Sequence, residues 1–230
     1  MKVMVFDLGG TLMHYIGMPH CWADRYPDGF GAVRRKLCPG LTESETALSL
    51  ELLNGFNPRI NYREKEYDAG YIFSAVTEHW HQKADHERIA RVFFEAMGLV
   101  SEIYPDSIPV LKILRNKGVK TAAFTDVAAA MPDDMHREYV KELLPYFDLY
   151  TSSVTCGMRK PHPKGLEDTA AFFGAGAEDM IFIGDEEKDI TAAGRFGCTS
   201  VLIDRNGTGG DFGQDITVRD LYELCERAEI

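Results

Sequence analysis

The chain has 230 residues, 45% of them apolar, with 25 basic and 36 acidic side chains and a formal net charge of −11. That length and apolar share suit one large α/β domain, or a core domain with a smaller insert, around a sizeable hydrophobic core. The acidic balance and the lack of a Lys/Arg-rich run argue against a nucleic-acid or anionic-membrane surface, although a local site can still take a phosphorylated ligand. Five scattered cysteines (Cys21, Cys38, Cys156, Cys198 and Cys225) form no CxxC pair and no zinc-spaced cluster, as expected for reduced thiols in the cytoplasm. Residues 1–13 carry one lysine and no signal-peptide pattern, and no apolar run reaches membrane-spanning length.

In chain order, "VMVFDLGGTLMHY" (3–15) reads as a buried strand that delivers Asp7 at its tip and continues into Gly9 and Gly10. Residues 14–95 then show helical patterns ("ETALSLELL", "AGYIFSAVTEHW", "HERIARVFFEAM") with no strand between them. We read this block as an all-helical insert, with residues 1–13 and 96–230 as the core. Its histidines, His14, His20, His79, His81 and His86, lack metal-ligand spacing. Tyr71, Phe73 and Trp80 fit a helical core face, and "REKEYD" (63–68) fits a solvated helix face.

Past residue 100 the pattern alternates. Ser107 can cap a helix with Pro109 in its first turn, and "VKTAAFTD" is a strand ending at Thr125 and Asp126. A helix around "REYVKELLPYF", a strand at "DLYTSS" and a helix at "PKGLEDTAAFFG" follow. Then come a strand at "MIFIGD", a helix at "DITAAGRFG", a strand at "TSVLID" and a last helix at "VRDLYELCERA". Strands alternating with helices of this length predict right-handed βαβ units in a parallel sheet. The Gly-rich "NGTGGDFG" (206–213) reads as a surface loop.

Three of these strands end in acidic residues: Asp7, Asp126 and Asp185. Ligands of open parallel sheets bind beyond the carboxyl ends of the strands, so these groups should converge on one crevice. Crowded carboxylates repel, and a hard cation such as Mg2+ is the usual means of tolerating them. Lys160, in the proline-stiffened "GMRKPHPKG", adds a positive charge.

Together "DLGGT" (7–11), "FTD" (124–126), "RKPHP" (159–163) and "GDEEKD" (184–189) resemble the haloacid dehalogenase superfamily of hydrolases, most of which are phosphatases. The resemblance implies a Rossmann-like parallel core with an inserted helical cap of the family's first type. It implies Asp7 as the nucleophile that forms an aspartyl-phosphate, and Lys160 as the other catalytic residue, whose positive charge offsets that of Asp7 and the transferring group. Thr125, Asp126 and Gly10 would meet the phosphoryl group. Asp7, the Gly9 carbonyl and Asp185 would hold Mg2+, with Asp189 orienting that site or the lysine. The expected partner is a small phosphorylated molecule, with no nucleic acid and no membrane, on a monomer or homodimer.

The chain departs from the family at Gly9, where most of its phosphatases carry a second aspartate as general acid and base. Gly9 keeps the carbonyl but has no proton to give; His14, Asp126 and Glu186 are the candidate substitutes. General acid–base catalysis supplies ~10^2–10^4 in rate, so substrates with good leaving groups should suffer least. Two alternatives stay open. One is a 2-haloacid dehalogenase, whose halide leaves without a proton; the other is a catalytically impaired binding or regulatory protein.

Overall fold

The computed structural model describes residues 2–19 and 21–228, so His20 lies outside the described residues. In chain order the elements are β1 (Val3–Phe6), β2 (Met13–Tyr15), α1 (Tyr26–Lys36), α2 (Glu43–Phe56), α3 (Ala69–Thr77), α4 (His86–Ala96), β3 (Ser101–Ile103) and α5 (Ser107–Asn116). They continue with β4 (Lys120–Thr125), α6 (Asp133–Tyr139), β5 (Leu149–Ser152), α7 (Ser153–Cys156), α8 (Lys164–Phe173), β6 (Met180–Gly184), α9 (Glu187–Phe196), β7 (Thr199–Ile203), β8 (Ile216–Val218) and α10 (Leu221–Arg227). Two compact units divide the chain: Met1–His14 with Ser101–Asp126 and Val140–Ile230, and Tyr15–Val100 with Val127–Tyr139. Residues 127–139, which the sequence pattern places in the core, thus group with the helical block.

The first unit is built on a parallel six-stranded sheet in the order β5-β4-β1-β6-β7-β8. All four β1 residues are buried, which a strand achieves only when both faces of its sheet are covered. Val3 and Val5 pack with Phe124 and Phe182, under Leu166 of α8 and Ala192 and Ala193 of α9. Register places Phe6 beside Ala123 of β4 and Ile183 of β6. The chain leaves β1 for β4 and β5 on one side, then returns to β6 on the other. That reversal is where an open α/β sheet opens its ligand crevice, and the residues just past β1, β4 and β6 border it.

The second unit packs aromatic side chains between helices. Phe93 lies edge-on to Phe30, Phe73 and Phe94, at ring separations of 5.0, 5.5 and 5.2 Å. Trp80 is buried and donates its indole N–H to Ser49 Oγ at 2.8 Å. Thr42 and Glu45 form a reciprocal capping box on α2, and Asp68 and Asp85 cap α3 and α4.

The sequence pattern misplaces several details. α1 has no counterpart in it because Pro27, Gly29 and Gly31 read as breakers; the proline sits in the first turn, where its missing N–H costs nothing. Gly29 is where the Phe93 ring presses in, since a Cβ there would lie 2.4 Å from it. "REKEYD" is loop rather than helix, with Glu66 buried and paired to Arg63 at 2.9 Å. Tyr71 is exposed rather than core. Ser107 is the first residue of α5 and not its cap; its hydroxyl donates to the Leu12 carbonyl at 2.8 Å. The helix expected around "REYVKELLPYF" runs earlier, as α6, and leaves a 3-10 turn at Leu144–Tyr146. The last helix begins at Leu221 behind the Asp220 cap, and Ile216–Val218 form the edge strand β8.

His136 of α6 is buried, and loss of solvation pushes its pKa down to about 4, with Asp133 opposing the shift. The folded histidine is therefore neutral, its stability contribution is complete above pH 6.5, and it is lost as pH falls towards 4. Urea denaturation at pH 7 and pH 4.5 should show wild type losing about 2 kcal/mol more than His136→Leu across that interval. Equal losses in the two proteins would contradict this.

Candidate active site

The residue after β1 is Asp7, and its backbone N–H donates to Ile183 of β6 at 2.8 Å, which extends the sheet one residue past the strand. The chain then turns back sharply: the Leu8 carbonyl accepts from Thr11, Leu12 and Met13. Gly10 has φ +84°, and a Cβ there would lie 2.0 Å from Asp185 Oδ2. Only glycine satisfies both the left-handed backbone and that approach. At Gly9, by contrast, an added Cβ would meet nothing within 4 Å.

Asp7, Asp185 and Asp189 bring one carboxylate oxygen each to within 4.8 Å of one another. Lys160, wholly buried, reaches into this group with Nζ 2.6 Å from Asp7 Oδ1 and 2.6 Å from Asp189 Oδ1. Asp189 also accepts from the backbone N–H groups of Asp185 (3.2 Å) and Glu186 (2.9 Å), which ties the start of α9 to the end of β6. Thr11 donates its hydroxyl to Asp185 Oδ1 at 3.3 Å. Asp126 accepts the Lys160 backbone N–H at 3.1 Å and lies 3.4 Å from Lys188 and 3.9 Å from Arg159.

The charges do not balance. Five carboxylates (Asp7, Asp126, Asp185, Glu186, Asp189) meet three cations (Arg159, Lys160, Lys188), which leaves a formal charge of −2. Burial pushes Asp7 up to about 6, and Asp189 adds to this against the opposing Lys160. Burial and then the charges of Asp7, Asp189 and Glu186 raise Asp185 well above the usual carboxylate range. Burial alone would lower Lys160, but Asp189, Asp7 and Asp126 outweigh it and hold the ammonium charged. Asp126 goes the other way: burial would raise it, but Arg159, Lys188 and Lys160 together hold it down at about 2. A hard divalent cation would offset the excess charge, and oxygen ligands of this kind are the ones it takes. The residues present therefore fit Mg2+ chemistry.

The structure thus gathers Asp7, Lys160, Asp185 and Asp189 and sets Asp126 against the lysine's backbone. Thr125 is buried at the end of β4, beside Ser152 of β5. The Gly10 N–H donates to the Met13 carbonyl at 2.7 Å, inside the turn. The missing side chain at Gly10 leaves space for the Asp185 carboxylate. Of the candidate proton donors, Asp126 stays ionised, Glu186 pairs with Lys188 at 2.8 Å, and His14 pairs through Nε2 with Glu102 at 3.3 Å. Sequence reasoning missed Arg159, Lys188 and Thr11, although each sits inside or beside a quoted motif.

A family model described as haloacid dehalogenase-like hydrolase matches residues 1–197, and the chain belongs to that family. The first curated relatives are matched over about half their own length. They include a glyceraldehyde 3-phosphate phosphatase of Methanopyrus kandleri, 34% identical over 44% of this chain and 43% of that protein. A phosphoglycolate phosphatase of Haemophilus influenzae is 27% identical over 87% of this chain and 84% of its own length. Among solved structures, a haloacid dehalogenase-type phosphatase from Thermococcus onnurineus superposes with a TM-score of 0.66 at 25% identity, covering 99% of this chain and 98% of that one. A 2-haloacid dehalogenase from Pseudomonas syringae superposes equally well, with a TM-score of 0.66, at 18% identity, covering 100% of this chain and 98% of that one; this likeness shows the shared fold.

Replacing Lys160 leaves two buried carboxylates without their shared cation. Lys160→Met should cost ~3–5 kcal/mol of stability in denaturant titrations, the usual penalty for breaking a buried ion pair from one side. A loss below about 1 kcal/mol, the value typical of an exposed pair, would show that the lysine is not the group holding Asp7 and Asp189 together.

Proposed function

We propose that this protein is a Mg2+-dependent phosphatase of small phosphorylated metabolites, with Asp7 as nucleophile. The observation that carries the reading is the buried group of Asp7, Asp185 and Asp189 with Lys160 between two of its members. Phosphoryl transfer needs positioning and neutralisation of spread negative charge more than it needs covalent chemistry from the protein. Asp7, Asp185 and the Gly9 carbonyl would hold the cation, which when bound supplies positive charge against the phosphoryl oxygens.

Asp7 attacks phosphorus through one carboxylate oxygen as the ester P–O bond breaks. The leaving oxygen departs as its anion and takes a proton from solvent. Water then hydrolyses the aspartyl-phosphate to phosphate and the free Asp7 carboxylate. A carboxylate nucleophile divides the displacement into two steps. Lys160 holds one Asp7 oxygen at 2.6 Å and fixes the carboxylate's rotation, while its charge opposes the negative charge gathered at the reacting centre. Asp189 orients that lysine from the opposite side. Asp126 fixes the lysine's backbone, and its low pKa removes it from proton transfer. The curated relatives are named as phosphatases of phosphoglycolate and glyceraldehyde 3-phosphate, which supports a small phosphorylated acid or aldehyde as substrate class.

The acidic group favours this reading over dehalogenation, because halide displacement gives no use to a paired-carboxylate cation site. A panel of p-nitrophenyl phosphate, acetyl phosphate and phosphoglycolate, with Mg2+ and with EDTA, tests it. Hydrolysis that EDTA abolishes is expected; hydrolysis of 2-chloropropionate unaffected by EDTA would overturn the proposal.

Gly9 sets the second test. Because a side chain there meets open space, Gly9→Asp should fold and restore a general acid. Turnover of the alkyl ester phosphoglycolate should rise by ~10^2-fold or more, within the range of general acid–base catalysis, and acetyl phosphate should change little. An unchanged rate on the alkyl ester would contradict the missing-acid account.

A further inference from the structure

The turn that follows Asp7 is held from outside at two of its carbonyls, those of Leu12 and Thr11. Within Leu8–Met13, the carbonyls of Leu8 and Met13 accept from the turn itself, and that of Leu12 accepts from Tyr104 N–H and Ser107 Oγ. The Thr11 carbonyl instead accepts two bonds from Arg205, at 2.7 Å from Nη2 and 3.2 Å from Nε. Arg205 follows β7, nearly the whole chain away from Thr11.

The arginine is itself fixed on its other edge. Nη1 and Nη2 donate to the two Asp106 carboxylate oxygens at 3.0 and 3.1 Å, a bidentate pair. Asp106 also accepts the Leu221 N–H at 2.8 Å, at the start of α10. The guanidinium carbon stands 4.0 Å from the Tyr104 ring centroid. Arg205 and Asp106 side chains are 14% and 7% exposed, so this pair is mostly desolvated and not a rim contact of negligible worth. Its fork shape matters: four of its contacts are satisfied at once because the donors lie in one plane, which a lysine cannot reproduce.

Thr11 joins this clamp to the chemistry. Its backbone carbonyl takes Arg205, and its hydroxyl holds Asp185. One residue before it, Gly10 passes under the same Asp185 carboxylate without a Cβ. We propose that Arg205 is a positioning residue for the cation site: by pinning the Thr11 carbonyl it holds the Thr11 hydroxyl on Asp185 and the Gly9–Gly10 backbone against the carboxylate cluster. This rests on the reading of that cluster as a Mg2+ site. Arg205 lies past residue 197, where the family match ends, so its role comes from this chain's own geometry.

The test is calorimetric titration of Mg2+ alone into the full chain, for wild type, Arg205→Lys, Arg205→Gln and Thr11→Val, with the melting temperature of each cation-free protein measured beside it. Groups that orient metal ligands from behind typically cost 10–100-fold in affinity when removed, and a weakening of about that size is expected in all three variants. Arg205→Lys keeps the charge, so weakening there assigns the effect to the planar fork. Thr11→Val leaves the clamp intact and removes only its link to Asp185. If the Arg205 variants melt lower but bind Mg2+ as wild type does, Arg205 is a structural brace and the proposal is overturned. Unchanged binding in Thr11→Val overturns the route through Thr11. If wild type itself binds no Mg2+, the cation reading falls and takes this inference with it.

Discussion

A buried ammonium shared by two carboxylates is the constraint around which the site is arranged. Lys160 is taken out of water with Asp7 and Asp189, and desolvation on that scale is tolerable only when the geometry is good on every side. Meeting that demand fixes much else. Asp7 must follow β1 with its N–H on Ile183 of β6, Asp189 must lie in the first turn of α9 just past β6, and the Lys160 backbone must be held by Asp126 past β4. Three neighbouring strands and the loop before α8 are thereby tied to one point. Asp185 has no such ion-pair partner among the described residues, and burial followed by the charges of Asp7, Asp189 and Glu186 raises its pKa.

How much of this is legible in the sequence follows from the range of the interactions. β1, β4, β6 and β7 are short apolar runs with polar ends, and burial on both faces leaves that pattern without a rival reading. The helices α8 and α9 end in Gly174 and Gly197, both left-handed, so their stops are written locally. Features that depend on distant partners are not. α1 carries a glycine at position 29 because Phe93 of α4, three helices later, needs the room there. The loop at 63–68 carries helix-compatible charges but is held by the Arg63–Glu66 pair and the stacking of Tyr67 on Tyr71.

The site shows the same division. Asp7, Lys160, Asp185 and Asp189 were readable because each lies in a short motif on a predictable element, and Gly10 because a glycine pair after a strand tip signals a turn. What Gly10 does was not readable, since the nearest neighbour of its missing Cβ is 175 residues further along the chain, at Asp185. Arg205 gave no local signal at all; a single arginine after a strand is ordinary until Thr11, Tyr104 and Asp106 are seen around it. Gly9 is the instructive contrast with Gly10. Sterics demand glycine at position 10 and permit any small side chain at 9, so the absence of a carboxylate at 9 is a chemical choice and not a packing necessity.

The central claim is that Asp7 takes the phosphoryl group. Wild type mixed with acetyl phosphate and Mg2+, quenched in acid within the first turnover and digested, would be mapped by mass spectrometry. The account predicts a labile phosphoryl adduct on the peptide carrying Asp7, absent when EDTA replaces Mg2+ and absent from Asp7→Asn. An adduct on another residue, or turnover with wild-type efficiency in Asp7→Asn, would contradict it.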